Sequence, residues 1–158
     1  MLEDAVKKGL SFGTTSGTIT TLGLIVGLDS STNSKLAVIG GILVIAVADA
    51  FSDALGVHIS EESIKKTVKQ IWKSTFATWI AKFFVALSFA VPVLLMPLRT
   101  AVVVDVIWGF VLISGLSYFI ARQEKVNPHR VITEHLAIAM LVVFITHYLG
   151  VFISHFFS

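Results

Sequence analysis

"LAVIGGILVIAVADAFSDALGVHISEES", residues 36–63, is the stretch on which the reading of the whole chain turns. It opens as an apolar run and continues past Asp49 and Asp53 with no loop signal. A helix needs about 20 mostly apolar residues to cross the hydrocarbon core of a bilayer. The run reaches that length, so both carboxylates fall on a membrane helix. An ionisable group there is costly unless it faces protein or water, which makes each one a functional candidate.

The composition agrees. Of 158 residues, 55% are hydrophobic and 14% charged, with a mean hydropathy of +0.87. Soluble domains carry roughly 25% charged residues. The polar surface is too small to coat a soluble domain, which points to one small integral membrane domain. The absence of cysteine excludes disulfides, thiolate metal sites and cysteine nucleophiles. The start, "MLEDAVKKGLSFGTTSGTITT", lacks the pattern of a cleavable signal peptide. There is no phosphate-binding loop, no H-x-x-x-H, no G-x-S-x-G, and no basic patch interleaved with aromatics that suggests nucleic acid.

Working outward, an all-α integral membrane protein with five transmembrane helices is expected. The spans are about 9–28, 35–56, 75–97, 101–121 and 131–157, within a single domain over residues 1–158. The first is the weakest because of its Thr, Ser and Gly. "GLDSSTNSK", "MPLRT" and "RQEKVNPHR" are short connections rich in turn formers. In "HISEESIKKTVKQIWKSTF", Ile59, Ile64, Val68, Ile71 and Trp72 recur at helical spacings. That predicts an amphipathic helix over about 59–73 along the membrane surface, continuous with the second helix or kinked from it, with Ser60 or Ser63 as a cap. Pro92 and Pro97 should kink or end the third helix.

Basic residues set the orientation. Lys7, Lys8, Lys65, Lys66, Lys69, Lys73, Arg122, Lys125 and Arg130 fall on one side, against Lys35 and Arg99 on the other. Lys82, a couple of turns into the third helix, is expected to snorkel toward the first side. The positive-inside rule then places the N-terminus in the cytoplasm and the C-terminus outside.

Asp49 and Asp53 are four apart and share a helix face, continued by Ile42, Ala46, Gly56 and Ser60. Two carboxylates one turn apart repel when both are ionised, so one holds a proton or a cation lies between them. Both states serve a cation–proton exchanger, and oxygen ligands suit Mg²⁺, Mn²⁺ or Fe²⁺. The plainer alternative leaves Asp53 wet at the helix end and Asp49 bonded to a neighbouring hydroxyl. The first helix carries Thr14, Thr15, Ser16, Thr18, Thr20 and Thr21, with Gly13 and Gly17 as a small-residue pair. This suits a close helix contact, within the chain or across a dimer, lined by hydroxyls. Taken singly, such hydroxyls more often bond back to their own helix. Asp105 and His147, with Glu61 and Glu62, are accessory candidates; the alternatives are headgroup level beside Arg99 for Asp105 and a packing role for His147.

These residues together resemble the vacuolar iron transporter family of Fe²⁺/Mn²⁺ carriers. "FGTTSGTITTLGLIVG" resembles the family's first-helix G-x-x-D-G-x-x-T-T-x-x-L-V-x-G. "SFAVPVLLMP" resembles its third-helix S-F-x-x-x-x-x-x-P-L-x-P, and "ITHYLGVFI" its final V-T-Y-x-I-G-x-x. "ADAFSDALGVHISEE" falls where the family has S-M-A-x-G-E-Y-x-S-V. Their order and spacing carry the resemblance, which covers most of the chain. It implies five transmembrane helices, a homodimer, and metal–proton antiport out of the cytoplasm along helices 1 and 2. The family's second-helix Glu matches Asp53, the Met four residues earlier matches Asp49, and the first-helix Asp falls at Ser16. A carboxylate in place of a thioether makes the site harder. The family's Glu-rich cytoplasmic metal-binding domain is reduced here to Glu61 and Glu62.

The expected function is therefore a proton-coupled transporter of divalent metal ions, Fe²⁺ or Mn²⁺, in a prokaryotic cell membrane. Asp49 and Asp53 would bind metal and protons in turn, and Ser16, Thr20 or Thr21 would complete the metal shell. The protein is expected to be neither an enzyme nor dependent on a resident cofactor, and its partners to be the lipid bilayer, metal ions, protons and a second copy. A second reading is a non-transporting membrane protein used for interaction or oligomerisation. An intramembrane enzyme acting on lipid headgroups ranks last.

Overall fold

Polar punctuation cuts the chain into five long helices, described over residues 2–157 in a computed structural model. They are α1 (Leu2–Thr32), α2 (Lys35–Ser63), α3 (Val68–Leu95), α4 (Leu98–Gln123) and α5 (Pro128–Phe157). No strand occurs among the described residues. The four helices α2 to α5 are each long and apolar enough to cross a membrane, so the chain is an all-α, multi-pass membrane protein. At 31 residues, α1 is about 46 Å long, but its hydroxyls and glycines keep it short of that apolarity.

Each turn has a local cause. Asn33 takes a left-handed conformation (φ 47°), and Ser34 then caps α2 by accepting from the Ala37 N–H at 3.2 Å. Lys65 (φ 57°) ends α2, and Thr67 with Gln70 forms a capping box that starts α3. Pro92 has no N–H for the Ser88 carbonyl, and the helix is interrupted next to that residue, at Phe89. The extended backbone at Met96, forced by Pro97, ends α3. Pro128 occupies the first turn of α5, behind an Asn127 side chain that accepts from the His129 N–H.

The segment 59–73 departs from expectation. Its first residues, through Ser63, are continuous with α2, as one form of the expectation had it, but it is not one helix, because residues from Val68 begin α3. Of the five apolar residues there, Ile71 alone is buried, while Ile59, Ile64, Val68 and Trp72 are exposed on two separate helix ends and the turn between them. Neither Ser60 nor Ser63 is the cap; Thr67 is. The other helices run a few residues beyond their apolar cores, because caps and turns, not hydropathy, set their ends.

Helix α1 lies at the centre, packing most extensively on α3 and then α5. Gly9, Gly13 and Gly17 of α1 face Ser74, Thr78 and Lys82 of α3, so the two run parallel. A Cβ on Gly13 would lie 2.5 Å from the Thr78 carbonyl oxygen. The small-residue pair Gly13 and Gly17 therefore serves a contact inside the chain, not one across a dimer. Farther along α1, Gly23 and Gly27 face α5, while Gly150 of α5 meets the Gly27 carbonyl. Gly109 of α4 receives Leu22, and Gly41 of α2 receives Leu24 and Leu28. These contacts gather the start of α1, the end of α2, the start of α3, the end of α4 and the start of α5 at one end of the bundle. Nearly all the basic residues lie here, and this is the basic end of the molecule. At the other end the apolar core is built from Leu22, Ile25, Val38, Ile42, Phe89 and Val93.

Candidate functional site

The middle of α2 is not a regular α-helix. Residues Ile45–Asp49 form a π-turn, which admits an extra residue and rotates the second half of the helix relative to the first. The buried stripe of that second half becomes Ala50, Ala54, Val57 and Glu61. Asp49 and Asp53 sit beside that stripe, toward α1 and α3.

They meet Lys82, whose side chain is wholly buried halfway along α3. Its Nζ donates to Asp53 Oδ2 at 2.5 Å and to Ser16 Oγ at 2.9 Å. Asp49 Oδ2 also lies 2.5 Å from Nζ, as an ion contact without hydrogen-bond geometry. An ammonium has three donors, and three oxygens from two helices surround this one. Gly17 makes the approach possible, since a Cβ there would lie 3.2 Å from the Lys82 carbonyl oxygen. The expectation that Lys82 snorkels is thus overturned: local ion partners hold it at the centre of the bundle. The cation between the two aspartates is the protein's own.

From the basic end, a cavity of about 480 Å³ opens between α1 and α2 and reaches Asp53. Lys8, Phe12, Ser52, Gly56 and Ser60 line it. Of the stripe that continues the aspartates, Gly56 and Ser60 line this cavity, while Ile42 and Ala46 are buried. Nearer the mouth, Lys8 forms an ion pair with Glu61, whose side chain is 4% exposed. Glu62 is exposed at the end of α2.

The remaining candidates disperse. Of the three hydroxyls, Ser16 alone touches the cluster. Thr20 donates back to the Ser16 carbonyl at 2.8 Å, as Thr18 does to that of Thr14, and the buried Thr21 hydroxyl has no hydrogen-bond partner. Asp105 is wholly buried with both carboxyl oxygens unpartnered, and no ion pair joins it to Arg99 among the described residues. It lies one turn before Gly109 in α4, toward the other end of the bundle. His147 shares a hydrogen bond with Ser30 at 2.8 Å on an exposed surface. No group of three His, Cys, Asp or Glu able to hold a metal ion occurs among the described residues.

Lys82 is the residue of the cluster that sequence reasoning misplaced. A signal for it was present: Ser74, Thr78 and Lys82 recur every four residues in α3, matching Gly9, Gly13 and Gly17 in α1. No family model matches this chain, and no curated protein does.

Proposed function

We propose that the chain is a proton-coupled transporter of divalent metal ions of the Fe²⁺ and Mn²⁺ class, exporting them from the cytoplasm. The observation that carries this reading is the convergence of Asp49, Asp53 and Ser16 on one buried ammonium, at the inner end of a cavity. An oxygen pocket that holds an ammonium offers a hard cation the same ligands. Lys82 then acts as a resident cation. It balances one of the two carboxylate charges when no metal is bound and must yield its place for metal to enter. Protons compete for the same carboxylates, which couples their movement to that of the ion.

In this reading the cavity at the basic end is the cytoplasmic entrance, and α1 is the fifth transmembrane helix, N-terminus inside and C-terminus outside. Asp105, buried farther along, is an accessory acid on the exit side. The functional unit is a homodimer. The resemblance to the vacuolar iron transporter family supports the same reading, with Asp49 and Asp53 in place of that family's Met and Glu.

The test is Mn²⁺ and Fe²⁺ flux in proteoliposomes under a pH gradient. Asp49→Asn and Asp53→Asn are each expected to slow flux at least tenfold, about 1.4 kcal/mol in the barrier. Parent-like flux in both variants would refute the site.

One observation favours the second reading, a non-transporting interaction protein. The buried ammonium finds its ion partners within the chain, as in a purely structural lock. Calorimetric titration with Mn²⁺ separates the two, because a lock binds no metal at any pH.

A further inference from the structure

Four lysines at the basic end have no part in the ion site. Lys65, Lys66, Lys69 and Lys73 surround the start of α3 and make no ion pair among the described residues. Lys69 and Lys73 are one turn apart, and Trp72 and Phe76 repeat the same spacing beside them. Trp72 and Phe76 are 49% and 57% exposed, with ring centroids 5.5 Å apart, and form a ridge on the outer face of α3.

A groove runs along each side of this ridge. One, of about 440 Å³, lies between α2 and α3, with Phe51, Leu55 and Trp79 in its wall. His58, hydrogen-bonded to Thr75 at 3.1 Å, also lines it. The other, of about 430 Å³, lies between α1 and α3 and is lined by Leu10, Ala77 and Ile80 with Lys69 and Lys73. Both grooves are almost wholly apolar, and Trp72 and Phe76 belong to both.

The geometry points to a binding site for one anionic diacyl phospholipid, its two chains straddling the Trp72–Phe76 ridge and its phosphate at Lys69 and Lys73. Charge and shape both argue for this occupant. Basic side chains at the end of an apolar groove are the arrangement that recognises anionic headgroups. Aromatic rings at that level favour the interface between headgroups and chains. A second copy of the chain seated there would bring one lysine-rich rim against another.

Native mass spectrometry of the full chain, released from detergent with equimolar phosphatidylglycerol and phosphatidylcholine, tests the site. One phosphatidylglycerol per chain is expected, preferred over phosphatidylcholine by roughly tenfold or more. Lys69→Gln with Lys73→Gln should reduce that preference to near parity. These lysines are at the surface, so the fold should not depend on them, and an unchanged thermal midpoint without lipid checks this. Equal retention of the two lipids by the parent overturns the site, as does a preference that survives the double substitution. So does a disulfide between copies through Trp72→Cys, which would show that protein covers the ridge.

Discussion

At the scale of single residues, Lys82 decides how the centre of the molecule behaves. A buried ammonium is tolerable only because Asp49, Asp53 and Ser16 surround it, and removing one partner of such a group leaves the other charges uncompensated. Lys82→Met should cost roughly 2–4 kcal/mol, less than a fully enclosed pair because the aspartates keep some exposure. Adding Asp49→Asn and Asp53→Asn to Lys82→Met should recover most of that loss, since no charge then remains unpaired. Unfolding in mixed detergent micelles measures both; a triple variant no more stable than the single one would show that packing, not charge, is what Lys82 contributes. The transport reading adds a sign. With the resident cation gone, Mn²⁺ should stabilise Lys82→Met more than it stabilises the parent, because a ligand that binds only the folded state raises its stability.

At the scale of helices, the contact between α1 and α3 sets the position of the site, and two glycines of one chain distinguish packing from propensity. Gly13→Ala drives a Cβ to 2.5 Å from the Thr78 carbonyl oxygen and should destabilise by about 1–3 kcal/mol as the helices separate. Gly40→Ala meets nothing within 4 Å and should stabilise by about 0.5–1 kcal/mol, the helix preference of alanine over glycine. Thermal midpoints of the two variants should move in opposite directions; movement in the same direction would show that α1 and α3 are not held by this contact. The contact also explains what was legible in the sequence. Hydropathy marked the helices because lipid imposes it residue by residue, and Pro97 marked an end through backbone chemistry that is local. The shared face of Asp49 and Asp53 was readable from a spacing of four. Their partner was not readable from hydropathy, because Lys82 is 29 residues from Asp53 and hydropathy records depth in the membrane, not which neighbour a face meets. Only the matched recurrence of small residues in α1 and α3 pointed to it. The same gap misled the reading of 59–73. Two helix ends with mostly exposed apolar residues share one period across the turn, and only the left-handed conformation at Lys65 and the cap at Thr67 separate them.

At the scale of the whole molecule, the site is incomplete on one side. The side chains of Asp49 and Asp53 remain 30% and 20% exposed, next to the cavity wall formed by Ser52 and Gly56. In a bilayer that opening would place carboxylate oxygens beside lipid chains, where no partner can replace their hydration. Small residues along an exposed helix face allow another helix to approach closely, and Gly56 has no neighbour within 4 Å of where a Cβ would stand. A second copy seated on the α1–α2 face would close the lipid side and leave the basic end as the way in. The chain has no cysteine, so a single introduced thiol reports without background. Oxidation in native membranes should link Ser52→Cys, or Gly56→Cys one turn on, into a covalent dimer. It should leave Leu141→Cys, exposed on α5 away from this face, as a monomer. The reverse pattern would move the seam to α5 and require the chain itself to shield Asp49 and Asp53, by closing α1 onto α2 over the cavity.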